Sequence, residues 1–495
     1  MRIGDLMVES GVMFGTSGAR GMAEDMTDLV CYAYTLGFLQ HLSRGGDLAA
    51  GGDVGIAGDF RPSTGRIMGA CARAVADLGF KPRNFGRIPS PALAAFGIDR
   101  HMPSMMVTGS HIPDDRNGIK FNLPTGEILK EDEEGIRGQD VSLPAGLFDT
   151  VGSFPIDTES VLPVEETTAF DAYVARYLNF FPADCLAGVR IGLYEHSSVA
   201  RDAYHAVLIG LGARVDRLGF SETFIPVDTE AIRPEDVELA DGWGATGEFD
   251  ALVSADGDGD RPLVSDERGE WLRGDIAGIL CAKSLGAEGV VTPVSSNTAV
   301  EKCGWFAKVM RTRIGSPFVI AGMHELVERG LAPVVGYEAN GGFLLASDIE
   351  RDGRRLPALP TRDAVLVAVS VLLSAKAQGK PVSRLAADLP KRYTYSDRIK
   401  NFPTELSQAR LAALSTGDFA HDKVALEDIF EDQFGEVAGL DTTDGLRITF
   451  GSGEIAHLRP SGNAPELRAY TEAASPERAQ AMNRICMGIL SSWRE

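Results

Sequence analysis

The run Asp256-Gly257-Asp258-Gly259-Asp260-Arg261 sets three carboxylates at alternate positions of a glycine-punctuated loop that directly follows the apolar residues 251–254. Hard cations such as Mg²⁺ take oxygen ligands, and Mg²⁺ keeps coordination positions for water or a phosphate oxygen. Three aspartates in this pattern therefore point to a divalent cation, Mg²⁺, with a negatively charged co-ligand. The same letters have two other readings. An acidic, glycine-rich loop is also the composition of a solvated turn, and Asp256, Asp258, Asp260 and Glu267 fall on ligand positions of an EF-hand loop. The EF-hand register fails where it requires glycine: Arg261 stands there, Pro262 follows, and the preceding segment reads as a buried strand rather than a helix.

Three further loops carry reactive or recognising side chains. Thr108-Gly109-Ser110-His111-Ile112-Pro113, continuing to Asn117-Gly118-Ile119-Lys120, puts a serine at a strand end beside a histidine, with a lysine farther along. That is a candidate nucleophile flanked by proton-transfer groups, although Ser, His and Pro are also common turn formers. Gly336-Tyr337-Glu338-Ala339-Asn340-Gly341-Gly342 offers a carboxylate and an amide suited to the vicinal hydroxyls of a sugar. Arg459-Pro460-Ser461-Gly462-Asn463-Ala464-Pro465-Glu466-Leu467-Arg468 brackets a Ser-Gly-Asn turn with two arginines. Backbone N–H groups in such a turn form an anion-binding concavity, and Arg matches phosphate in a bidentate way that Lys does not. A plain surface turn is the other account of each of these two loops.

The elements that must carry these loops alternate. Short apolar runs with β-branched residues, at 54–57, 104–108, 189–194, 250–254, 289–294 and 332–336, read as strands; 65–78, 200–211 and 298–303 read as helices. This is the rhythm of α/β domains, in which ligands gather at the carboxyl ends of strands. The last hundred or so residues differ: short strands at 446–450, 454–458 and 467–471 are closed by a helix at 476–493, an α+β pattern. A chain of 495 residues exceeds one hydrophobic core and predicts three or four domains, with boundaries near 160, 273 and 390. Three α/β blocks of comparable size hint at structural repetition.

Composition limits the partners. The hydrophobic fraction of 44% and charged fraction of 24% are those of a globular protein, and a net charge of −22 disfavours nucleic acid and anionic membranes. An anionic substrate then requires local Arg and Lys clusters plus a metal ion. Six scattered cysteines without a CxxC pair, no basic leader and no long apolar stretch predict a cytoplasmic protein with reduced thiols.

Taken together, the loops resemble those of the α-D-phosphohexomutases, the superfamily of phosphoglucomutase, phosphomannomutase and phosphoglucosamine mutase, from Phe14 to Arg468. Phe14-Gly15-Thr16-Ser17-Gly18-Ala19-Arg20-Gly21 looks like the N-terminal substrate-site loop, and the stretch from Thr108 to Pro113 like the phosphoserine loop. Asp256 to Arg261 resembles the magnesium loop, Gly336 to Gly342 the sugar-recognition loop, and Arg459 to Arg468 the phosphate loop. Arg313-Ile314-Gly315-Ser316 resembles a segment that approaches the ligand phosphate from the third domain; Asp59-Arg61 and Pro89-Pro91 also look familiar, as supports of the first.

The resemblance implies an α/β, four-domain, heart-shaped architecture: three α/β/α domains, at 1–160, 161–272 and 273–390, and a C-terminal α+β domain at 391–495, around a central cleft. It implies a phosphoryl group on Ser110, Mg²⁺ held by that serine with Asp256, Asp258 and Asp260, and catalytic assistance from Lys120, Arg20 and His111. Substrate binding would fall to Arg261, Gly315, Glu338, Asn340, Arg459, Ser461, Gly462, Asn463 and Arg468. The implied reaction moves phosphate between O6 and O1 of a hexose phosphate through a hexose 1,6-bisphosphate. The loops most resemble those of bacterial phosphomannomutases, with phosphoglucomutase and phosphoglucosamine mutase as alternatives and a non-catalytic sugar-phosphate binder as the reading from another class. Small sugar phosphates are the expected partners, and the chain is expected to act as a monomer or homodimer. Departures are visible: Gly109 stands for a usual Ala, Ile112 for Asn, Asn463-Ala464 for Thr-Glu, and Glu338-Ala339-Asn340-Gly341-Gly342 for a frequent Glu-x-Ser-Gly-His, which removes an acid/base His.

Overall fold

The computed structural model of the chain describes residues 1–15, 18–461 and 465–494. Three of its sheets repeat one arrangement. In the first, Asp53–Gly58 lies between parallel strands Lys81–Asn84 and Ser104–Val107, and Arg116–Leu123 returns antiparallel beside the latter. In the second, Arg190–His196 lies between Arg214–Phe220 and Ala251–Ala255, with Pro262–Val264 as the antiparallel return. In the third, Gly289–Pro293 lies between Lys308–Thr312 and Val334–Tyr337, with Phe343–Leu345 returning. The first sheet is widened by Gly18–Met22, Met13–Phe14 and Gly126–Glu127.

This repetition decides where the chemistry goes. In each sheet one connection leaves the carboxyl end of the third strand and turns back into the antiparallel return. Those connections, residues 108–115, 256–261 and 338–342, are the serine, aspartate and sugar loops. The strands that deliver them are apolar on both faces: Ser104–Val107, Ala251–Ala255 and Val334–Tyr337 are buried at every residue, as strands covered by helices on both sides must be.

The strands and helices expected from the sequence appear within a residue or two of the expected bounds. The returns and edges do not announce themselves. Arg116–Leu123 is polar because Lys120 and Asn122 face Asp260 and Glu127 while Ile119 and Phe121 enter a core, and the edge strand Arg214–Phe220 is largely exposed.

The C-terminal unit is a five-stranded antiparallel sheet in the order Val437–Asp441, Leu446–Phe450, Ile455–Pro460, Glu466–Ala473, Tyr393–Lys400. Helices Thr404–Ala413, Phe419–Phe434 and Pro476–Ser492 accompany it, around a core that includes Phe430, Ile448, Phe450, Leu467 and Met482. Among the described residues no helix is long and apolar enough to cross a membrane.

A single apolar cluster runs from Ala57 and Phe85 through Tyr173, Val207 and Leu280 to Leu389, so the middle sheets share one packed interior. A buried carboxylate pins it. Asp363 accepts hydrogen bonds from Tyr173 Oη at 2.8 Å and Tyr177 Oη at 2.6 Å, both on helix Thr168–Phe180, and caps helix Ala364–Gln378 through Leu366 N–H at 3.3 Å. Asp363→Ala strands two buried phenols and an amide, at a cost of about 3 kcal/mol. The expected outcome is a lower urea midpoint for the first unfolding transition; an unchanged midpoint would show that the two helices are held by apolar packing alone.

Candidate active site

Ser110 lies at the carboxyl end of Ser104–Val107, 1% exposed, with a φ of 57° that only a few non-glycine residues adopt. Such a conformation costs on the order of 1–3 kcal/mol and persists where surroundings enforce it. Here a buried arginine does so. Arg61 donates to Ser110 O at 3.1 Å, to Arg116 O at 3.1 Å and to Ile112 O, while its charge is met by Asp59 at 2.6 Å. Asp59 also accepts from Thr108 Oγ1 at 2.7 Å and Thr64 Oγ1 at 2.8 Å, and Thr108 Oγ1 accepts the Ser110 N–H at 2.7 Å. The departure at Gly109 has its reason in this clamp, since a Cβ there would lie 2.8 Å from Arg61 Cζ.

The clamp aims the hydroxyl at the second sheet. Ser110 Oγ donates to Asp256 Oδ2 at 2.7 Å, across 146 residues of chain. Asp256, Asp258 and Asp260 are essentially inaccessible, and one oxygen of each lies within 4.8 Å of the others. Burial, with Asp258 and Asp260 alongside, pushes the Asp256 carboxyl well above the usual carboxylate range. Asp258 and Asp260 escape that fate. Burial opposes their charge, but Lys120 at 2.5 Å from Asp258 holds the first carboxyl down, and Arg362 at 3.1 Å with Lys120 at 2.7 Å holds the second down. Ser90 Oγ adds a 2.6 Å hydrogen bond to Asp258.

This donor set suits a hard cation. It consists of oxygens alone, it includes buried Oδ1 atoms of Asp258 and Asp260 without a hydrogen-bond partner, and its third carboxylate lacks a full counter-charge. The geometry thus gathers Ser110, Asp256, Asp258 and Asp260, the four predicted ligands, at one point.

Four cationic side chains surround it. Lys120 is held above its ordinary range: burial works against its charge, and Asp258 and Asp260 outweigh burial. Arg20 is pushed down to about 10 by burial and by Arg261, which leaves it cationic at neutral pH. Arg261 Nη1 donates to His111 Nδ1 at 2.9 Å, and Ser110 Oγ is 3.3 Å from the same nitrogen. An arginine can only donate, so Nδ1 is an acceptor and the ring proton sits on Nε2, which faces Asp228 at 4.0 Å. Burial and Arg261 push the His111 pKa down to about 3, so the ring is neutral.

The sugar loop meets this cluster through Arg362, a residue with no motif around it and absent from the expected set. Its guanidinium reaches Asp260, Glu338 at 3.4 Å and Glu127 at 3.9 Å. Asn340 is buried, but its Oδ1 is taken by the Gly342 N–H at 2.9 Å, and its backbone oxygen accepts from Thr229 Oγ1 at 2.7 Å. Half of its amide therefore shapes the loop.

Arg459 and Arg468 stand directly opposite each other on paired strands, a like-charge juxtaposition that favours an anion between them. Asp444 holds Arg459 at 2.8 Å, and its other oxygen accepts the Ile314 N–H at 2.9 Å, which brings the loop containing Gly315 (φ 129°) against the C-terminal sheet. Ser461 N–H donates to Glu466 O at 2.8 Å. On the other side, Glu230 feels Arg273, Arg261 and Arg468 together, so the C-terminal arginine lies within electrostatic reach of the aspartate loop. Gly462 and Asn463 lie outside the described residues, as do Thr16 and Ser17. Besides Arg362, sequence reasoning missed Glu127, Asp228, Glu230 and Asp444, single polar residues whose only signal is tertiary.

Comparison with known proteins agrees with this geometry. Family models for phosphoglucomutase/phosphomannomutase match alpha/beta/alpha domain I at residues 11–139, alpha/beta/alpha domain III at 273–393 and the C-terminal domain at 410–485. A phosphomannomutase of Sinorhizobium fredii is 43% identical over 482 residues, 97% of this chain and 99% of that one. A phosphomannomutase of Salmonella muenchen is 43% identical over 477 residues, 96% of this chain and 95% of that one. The crystal structure of a phosphoglucomutase/phosphomannomutase family protein from Burkholderia thailandensis superposes with a TM-score of 0.71 at 18% identity, covering 97% of each chain. The repeated sheets, the serine facing an aspartate trio and this breadth of similarity have one common explanation: the chain belongs to the phosphoglucomutase/phosphomannomutase family.

Proposed function

We propose that this chain is a Mg²⁺-dependent phosphohexomutase that interconverts mannose 6-phosphate and mannose 1-phosphate. One observation carries the reading: the seryl oxygen of Ser110, held in a strained backbone by a buried arginine, contacts the carboxylate of Asp256 at 2.7 Å. The choice of mannose rests on the two phosphomannomutases at 43% identity. The segments 1–160, 161–272, 273–390 and 391–495 act as four domains, each giving loops to one cleft. Six unpaired thiols fit a reducing compartment, the cytoplasm.

In this scheme Ser110 Oγ carries a phosphoryl group. A sugar hydroxyl attacks the phosphorus, the bond to Oγ breaks and the hydroxyl's proton ends on the departing Oγ; the hexose 1,6-bisphosphate that results turns over, and Oγ attacks its other phosphoryl group, with the seryl proton passing to the sugar oxygen released. Phosphoryl transfer asks for alignment and charge neutralisation. Mg²⁺, held by Ser110, Asp256, Asp258 and Asp260, would supply neutralisation of the transferring group. The protein's own cations do the rest: Arg261 beside the serine and Arg20 beside Asp258 and Asp260 are fixed positive charges, and Lys120 is a protonated donor tethered between Asp258 and Asp260. Neutral His111 orders the Arg261 guanidinium next to Oγ. Glu338 reads sugar hydroxyls, and Arg459 with Arg468, together with Ser461, Gly462 and Asn463, receives the non-transferring phosphate.

A coupled assay offering mannose 1-phosphate, glucose 1-phosphate and glucosamine 1-phosphate in parallel, with Mg²⁺ and a trace of sugar bisphosphate, tests the reading; a dominant rate with mannose 1-phosphate is expected. Intact-mass analysis is expected to show one phosphate on Ser110 that leaves with hexose phosphate and returns with bisphosphate. A serine that never labels would exclude the covalent scheme. Ser110→Ala is expected to lower kcat by several orders of magnitude while the circular dichroism spectrum stays that of the parent. Arg459→Ala removes a charged hydrogen-bonding partner of phosphate worth about 1.5–3 kcal/mol, so KM should rise about 10- to 100-fold; an unchanged KM would detach the C-terminal loop from phosphate binding.

A further inference from the structure

Residue 342 has no side chain, and it has room for none. A Cβ built there would lie 2.4 Å from Arg362 Cδ and 2.7 Å from its Cγ. The space beside residue 342 is filled from a different segment, by the methylenes of an arginine that directly precedes helix Ala364–Gln378 and its cap Asp363. With only 4% of its side chain exposed, Arg362 faces carboxylates from three separate loops: Asp260 of the aspartate loop, Glu338 of the sugar loop and Glu127 of the first sheet.

These contacts are unequal. Glu127 is already satisfied, accepting from Thr361 Oγ1 at 2.7 Å and Ser316 Oγ at 3.1 Å, and it stands 3.9 Å from the guanidinium. Arg362 Nε is 3.1 Å from Asp260 yet not aligned for a hydrogen bond. Glu338, in contrast, has Arg362 as its ion-pair partner among the described residues, at 3.4 Å. A buried ion pair adds little net stability compared with apolar packing of the same volume, so a fully buried guanidinium beside a recognition carboxylate is better explained by what it orients.

We propose that Arg362 is the positioning residue of the sugar loop: it holds the Glu338 carboxylate aimed at the hexose, ties it to the aspartate loop, and occupies a place that exists only because residue 342 is glycine. This rests on the mutase reading above. At that point stands an always-charged guanidinium, with planar geometry that a lysine cannot reproduce. Recognition of the hexose hydroxyls is then a property of the Arg362–Glu338 pair.

Steady-state kinetics of Arg362→Gln, Arg362→Lys, Gly342→Ala and the double variant Arg362→Gln/Gly342→Ala, each with mannose 1-phosphate and glucose 1-phosphate, tests this. Expected for Arg362→Gln is a fall in kcat/KM of about 100-fold or more, a changed ratio between the two sugars, and partial recovery in Arg362→Lys. Gly342→Ala is expected to reproduce the loss by displacing Arg362, and to add nothing in the Arg362→Gln background, because the two changes act through one contact. A merely structural role would lower thermal stability without moving the sugar ratio. With an active parent protein, an unchanged ratio and kcat/KM in Arg362→Gln, or full additivity in the double variant, overturns the proposal and leaves the mutase standing. Should Arg362→Gln not fold, Arg362→Lys and Gly342→Ala carry the same comparison. A parent protein that turns over no hexose phosphate overturns the mutase reading and this proposal with it.

Discussion

Three carboxylates buried within a few ångströms of one another are the constraint from which much of the site follows. Unpaired ionised groups in such a place are untenable, and the molecule answers with a ring of cations from separate segments: Lys120 from the first sheet, Arg261 from the aspartate loop itself, Arg362 from the approach to a helix in the third unit, and Arg20 from the first sheet's extension. Asp258 and Asp260 are compensated by Lys120 and Arg362. Asp256 has the more distant Arg261, at 3.9 Å, and it is the one that faces Ser110. Cations are thus gathered at the point where a divalent ion and a phosphoryl group would meet, in a chain whose overall charge of −22 would otherwise repel an anionic substrate.

The fold delivers this by repeating itself. Each of three sheets places one functional loop between its third strand and an antiparallel return. Because the delivering strands are fully buried, their carboxyl ends are fixed points, and the loops inherit that rigidity. Strain is applied where it is useful: Ser110 is kept at positive φ by Arg61, whose own charge is absorbed by Asp59, and Gly109 is small so that this arginine can pass. Gly342 serves Arg362 in the same way. At both loops a glycine makes room for a buried guanidinium that organises the reactive group next to it.

Polar contacts join the C-terminal sheet to this frame. Asp444 links Arg459 to the Ile314 backbone, Glu472 accepts from Thr298 N–H at 3.1 Å, and Asn297 Nδ2 donates to Arg392 O at 2.8 Å. Asp444 pairs with Arg459 and touches the loop on which Gly315 lies, so in the proposed scheme phosphate recognition and the seating of this sheet share one side chain.

Much of this was legible in the letters. Alternating apolar runs gave the strands that deliver the loops, because a strand covered on both faces must be continuously apolar; the spacing of Asp256, Asp258 and Asp260 pointed to a cation site rather than a solvated turn, and the three carboxylates do lie buried together. Ser110, Lys120 and Arg261 were identified with it and do converge. What the letters could not disclose were contacts between distant single residues: Arg362 with Glu338, Asp444 with Arg459, Arg61 with the Ser110 carbonyl. Local pattern specifies elements and loops, since those depend on neighbours along the chain. Which cation meets which buried carboxylate depends on how separate sheets are set against one another, and only the tertiary structure decided that.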